Sequence, residues 1–113
     1  MFSDEIEVSV TYGTRITFFL RMIGIAEENA IRQKTFGKTE AEKEEFEYQK
    51  NVDVLAELAT KLPEGMFKDA VPRCSTEEAV RGFFKEKTAL NERIAYFAVR
   101  GYFLRLLPSE SFL

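Results

Sequence analysis

The sequence predicts an α+β domain, mostly helical, in which an N-terminal β-hairpin packs against three or four α-helices. Three observations carry that prediction: two consecutive stretches with the period-2 alternation of strands, a long amphipathic segment opened by a capping box, and an almost wholly apolar segment near the C-terminus. At 113 residues the chain has the usual size of one domain, and residues 1–113 are read as a single unit.

In the first stretch Ile6, Val8, Val10 and Tyr12 alternate with Glu5, Glu7, Ser9 and Thr11; after Gly13 and Thr14, Ile16, Phe18, Leu20 and Met22 repeat the pattern. Gly13 accepts the positive φ of a tight turn, which makes a hairpin of the pair. On the second strand's other face stand Arg15, Thr17, Phe19 and Arg21, so Phe19 is expected to be partly exposed or covered by a helix. Ala26–Thr35 reads as a short helix, with Ala26, Ala30 and Ile31 inward, broken by Phe36–Gly37–Lys38. Thr39 and Glu42 form a capping-box pair ahead of Tyr48, Val52, Leu55, Ala59 and Leu62, so a helix is expected to run to Leu62 and stop at Pro63 and Gly65. Met66–Arg73 reads as a connector containing Pro72. Ser75 and Glu78 then cap a helix with Val80, Phe83, Phe84 and Lys87 on one side. Residues 76–106 are expected to form two helices bent near Thr88, because Gly82 and the polar run Lys85–Thr88 weaken a continuous one. The second contains Ile94, Ala95, Tyr96, Phe97, Ala98, Val99, Tyr102, Phe103, Leu104, Leu106 and Leu107, and Pro108 ends it before the Ser109–Leu113 tail.

Composition narrows the function classes. The net charge of −3 gives no global attraction to phosphate, and the excess of acids lies in residues 1–64, so no nucleic-acid partner is expected. Neither apolar stretch, Ile16–Ile25 nor Ile94–Leu107, reaches bilayer-spanning length, so no membrane partner is expected either. Eleven Phe, four Tyr and no Trp make Phe packing the main source of buried area. One cysteine, Cys74, forms no internal disulfide, and the N-terminus lacks a secretory signal pattern; a reducing, cytoplasmic location is expected.

There is no histidine, which removes the Ser-His-Asp and Cys-His pairs and the commonest metal ligand. Cys74 precedes the Ser75 cap, where a thiol pKa is lowered, but an inert small residue is the commoner use. The six glycines are scattered singly and form no phosphate-cradling loop. The acidic run Glu40, Glu42, Glu44, Glu45, Glu47 admits one alternative function, a metal-dependent nucleotide hydrolase in which Glu44 and Glu47 share a hard cation. A solvated first turn complementing the helix dipole, with Glu57 and Lys61 as an i,i+4 pair, explains the same residues. No cofactor or metal is expected.

What remains is apolar surplus. The hairpin, the capped helix and the Val80 helix can close a core without all of the Ile94–Leu107 segment, and large apolar patches mark partner surfaces. The expected partner-binding residues are Phe97, Tyr102, Phe103 and Leu106, with Phe19 as a second candidate. The expected function is a non-enzymatic protein-protein interaction protein, self-associating or bound to another protein.

The order of hairpin, acidic capped helix and hydrophobic C-terminal helix, with Gly13–Arg21 passing into Ile25–Arg32, resembles small phage tail assembly chaperones and related tail accessory proteins. The resemblance spans the whole chain at the level of layout and carries over no functional residue. It implies a phage-type or prophage-type assembly factor that shields another protein's hydrophobic segment.

Overall fold

Alternation becomes a hairpin in the structure, a computed structural model that describes residues 4–33, 39–65 and 75–108. Strands β1 (Glu5–Tyr12) and β2 (Thr14–Arg21) pair antiparallel, with Val8 opposite Phe18 and Val10 opposite Ile16. Gly13 sits at the apex with φ +77°. Ile6, Val8, Val10, Ile16, Phe18 and Leu20 turn inward as the period-2 pattern requires, while Tyr12 and Met22, expected inside, are exposed at the hairpin ends. The Phe36–Lys38 break, the Pro72 connector, Cys74 and the Ser109–Leu113 tail lie outside the described residues.

Four helices follow: α1 (Ile25–Arg32), α2 (Glu40–Leu58), α3 (Thr76–Phe83) and α4 (Ala89–Arg105). The α+β, mostly helical layout is therefore as expected. Helix α1 has no buried residue; Ile31 packs partly on the core, whereas Ala26 and Ala30, expected inward, are exposed. At the start of α2 the capping box is complete, with Glu42 N–H donating to Thr39 Oγ1 at 3.3 Å and Thr39 N–H to the Glu42 carboxylate at 3.3 Å.

Helix α2 ends at Leu58, four residues before the expected Leu62. The reason is tertiary: the next residues run along the free edge of β2. Thr60 N–H donates to Phe19 O at 2.8 Å, and Thr17 and Glu64 exchange two bonds of 2.9 Å each. Pairing with a strand edge satisfies backbone groups that a further helical turn would otherwise have used. This segment also buries the second face of β2. Lys61 Nζ sits 3.9 Å from the Phe19 ring centroid, so Phe19 is covered by the strand-like segment rather than by a helix. The early end also removes the expected Glu57–Lys61 pair; Glu57 instead meets Arg81 at 3.4 Å.

The break between α3 and α4 falls where the polar run placed it. Thr88 caps α4, accepting from Asn91 N–H at 3.0 Å. The carbonyls freed at the end of α3 are taken by side chains: Tyr48 O–H donates to Phe84 O at 2.8 Å, and Asn91 Nδ2 donates to Phe83 O at 3.2 Å and Glu86 O at 3.0 Å. Arg81 locks α3 to α2 through Asp53 at 2.5 Å and holds Glu77 at 3.2 Å; the Asp53 hydrogen bond is the main cause of its raised pKa. Phe18, Leu20, Leu55, Val80, Phe84, Ile94 and Tyr102 are the largest fully buried side chains, so the core lies where hairpin, α2, α3 and α4 meet.

Candidate functional site

Helix α4 has two different apolar sides. One is tightly enclosed: Ile94, Ala95, Ala98, Val99 and Tyr102 are buried. Small residues set how closely this side approaches the hairpin. A Cβ on Gly101 would lie 3.0 Å from Val8 Cγ1.

The other side faces outward and carries Leu90 (50% exposed), Tyr96 (48%), Phe97 (38%), Leu104 (60%) and Leu107 (59%), with exposed Arg93 and Arg100 among them. Leu90, Phe97 and Leu104 recur every seven residues, and Arg93 and Arg100 recur at the same interval three residues on, so these five fall on one stripe of the helix, with Leu107 just past its end. Tyr96 and Phe97 meet edge to face with ring centroids 5.0 Å apart. A contiguous stripe of large apolar side chains is the feature that distinguishes a partner surface from singly exposed hydrophobics.

Beside this stripe, the N-terminal half of α2 and α4 enclose an open cleft of about 690 Å³. Its acidic wall comes from Glu40, Glu44 and Glu47 on α2, and Tyr96 and Phe97 form the apolar one. Lys43 pairs with Glu40 at 3.4 Å and Lys50 with Glu47 at 3.3 Å, whereas Glu44 makes no ion pair among the described residues. Further along, Arg100, Tyr96 and Phe103 share a second hollow with Glu47, Lys50 and Asn51. The matching levels of these residues show that α2 and α4 run side by side in the same direction.

The five expected partner-binding residues separate. Phe97 lies on the outer stripe. Phe103 and Leu106 are half-buried against the core, with the Arg32 guanidinium 4.5 Å from the Phe103 ring centroid. Tyr102 and Phe19 are buried, which contradicts their placement on a contact surface. Tyr102 is enclosed because its hydroxyl anchors α4 to the hairpin, donating to Arg21 O at 2.5 Å. Phe19 is enclosed by the chain after α2. Leu90, Tyr96, Leu104 and Leu107, exposed beside Phe97, were not among the expected residues; for Leu90 and Leu104 the seven-residue recurrence with Phe97 was the available signal. Among the described residues no group of three or more His, Cys, Asp or Glu is placed to hold a metal, so Glu44 and Glu47 gain no further ligand. No helix among them is long and apolar enough to cross a membrane.

Burial pushes the Tyr102 phenol up to about 12, and burial also raises Tyr48, assisted by Glu45 and Glu92. Both groups fold as neutral phenols, so their contribution to stability is complete below the unfolded value near 10 and is lost as pH rises above it, for Tyr102 toward 12. The urea midpoint is expected to fall across pH 10–12, and Tyr102→Phe to flatten that fall. An equal slope in wild type and Tyr102→Phe would show that Tyr102 does not titrate in a buried position. No protein-family model, curated protein or solved structure matches the chain.

Proposed function

We propose that this is a non-enzymatic interaction protein that binds a polypeptide partner through the outer face of α4. One observation carries the reading: four large apolar side chains and two arginines occupy one side of a 17-residue helix whose opposite side already fills the core, and Leu107 adds a fifth just past its end. Apolar bodies with arginine among them are the residue types that supply binding energy at protein contacts. The absence of histidine points away from the commonest catalytic devices. The layout resemblance fits the same reading, in which the protein serves as an assembly or accessory factor of phage type that covers a hydrophobic segment.

The test is site-directed photocrosslinking. A benzophenone amino acid at position 97 is expected to give ultraviolet-dependent adducts with a polypeptide, either another copy or a different protein. The same group at position 49, on an exposed part of α2, is expected to give none. Equal or absent adduct yields at the two positions, in both purified protein and cell extract, would overturn the proposal.

A further inference from the structure

We infer that the groove between α2 and α4 binds one extended segment of another polypeptide and recognises its backbone through Asn51. The inference rests on the reading of the protein as a polypeptide binder and names where the partner's chain enters. Besides the tyrosines, two polar side chains are buried among the described residues, Thr17 and Asn51. The Thr17 hydroxyl is matched by Ser9 Oγ at 2.9 Å. Asn51 is 7% exposed, and its amide has no hydrogen-bond partner among the described residues. Every fully enclosed polar side-chain atom among those residues does have one. The Asn51 amide therefore reaches open space. That space is the cleft of about 690 Å³ on one side and the hollow beside Arg100 on the other, both of which Asn51 lines. An amide withdrawn from water without a partner costs stability, and a ligand that bonds it recovers that cost.

The surroundings say what kind of ligand does so. A carboxamide sets a donor beside an acceptor, which matches the N–H and C=O that one residue of an extended chain presents along one edge. Tyr96 lines both hollows and, with Phe97 edge-on to it, gives the segment an apolar wall. The two ends differ in charge. In the cleft Glu40 pairs with Lys43, Glu47 with Lys50 and Lys87 with Glu45, which leaves two carboxylates, Glu44 and Glu92, against one guanidinium, Arg93. In the hollow Arg32 pairs with Glu28 and Lys50 with Glu47, which leaves Arg100 as the surplus cation. Glu92 and Arg100 stand about 12 Å apart along the helix, the length of about four extended residues. The occupant thus carries a basic side chain at one end and an acidic one about four positions away. A nucleobase edge also pairs with an amide, but a nucleotide brings no cation to the acidic end.

The probe is a library of random decapeptides displayed on yeast and selected on the labelled chain. Selected peptides are expected to place a Lys or Arg about four positions from an Asp or Glu, and a synthesised one to bind saturably by fluorescence anisotropy. Asn51→Leu should raise its dissociation constant at least about tenfold and leave the urea midpoint at or above the wild-type value, because it removes an amide that has no partner in the free protein. Asn51→Ala, which cannot block the groove, should lose binding to the same extent. N-methylating the peptide's backbone nitrogen midway between its charged residues should cost a similar factor in the wild type and almost nothing in Asn51→Leu. Three results overturn the inference: no selection above the Asn51→Leu background, an affinity indifferent to both Asn51 variants, or saturable binding of adenosine monophosphate in place of peptides. If position 97 still crosslinks a polypeptide when no peptide is selected, the contact face stands and the groove inference alone falls.

Discussion

Gly65→Ala is expected to lower stability by about 3 kcal/mol or more, combining the cost of an alanine at positive φ with that of forcing atoms into filled space. Gly65 holds φ +90°, and a Cβ there would collide with Arg15 O, a backbone atom that cannot swing aside. Relief requires moving the chain away from β2, which breaks the paired Thr17–Glu64 bonds and uncovers Phe19. Gly82→Ala provides the contrast. A Cβ on Gly82 meets nothing within 4 Å, and the residue lies inside helix α3, so alanine is expected to add about 0.5–1 kcal/mol. Urea unfolding of the two variants checks the pair, and hydrogen exchange at the Thr17 and Glu64 amides localises the damage. Equal midpoints for the two would show that the segment after α2 does not press on β2.

That segment also marks where the sequence stopped being legible. The hairpin, the helices capped by Thr39 and Ser75 and the break near Thr88 were readable because their determinants are local: alternation, a glycine at a turn, a hydroxyl three residues before the amide it caps. The end of α2 was not local. Ala59 and Leu62 continue the helical spacing, and only the open edge of β2, some forty residues earlier, draws the chain out of the helix at Leu58. Phe19 and Lys61 followed from the same cause. An aromatic expected to be partly exposed or covered by a helix is buried instead under an extended segment, and a lysine expected beside Glu57 became its cover.

Helix α4 posed a different difficulty. Its composition is apolar nearly all round, so hydrophobicity alone could not say which side faces the core, and the expected contact residues were drawn from both sides. Size carries the missing information. Ala95, Ala98 and Gly101 cluster on the enclosed side, where backbone must approach the hairpin closely, while the opposite side holds leucines and aromatics that need no such fit. With that criterion Phe97 stays on the outward side and Tyr102 leaves it.

Substitutions at Tyr102 and Leu104 should therefore part sharply although the residues are two positions apart and both are large. Tyr102→Ala is expected to destabilise the fold by about 3–5 kcal/mol, the usual cost of emptying a buried aromatic site. Tyr102→Phe keeps the ring but leaves Arg21 O without its donor, at about 1–2 kcal/mol. Leu104→Asp, at 60% exposure, should change the stability of the monomer by less than about 0.5 kcal/mol, measured at dilution where subunit contacts do not contribute. Its effect belongs to binding: it places a carboxylate on the stripe and removes apolar area from it. Thermal unfolding and association measured on the same three variants separate the two roles, since a core residue loses stability first and a contact residue loses only its partner. Should Tyr102→Ala and Leu104→Asp cost the same stability, the assignment of α4's two sides is wrong, and the case for an outward contact face falls with it.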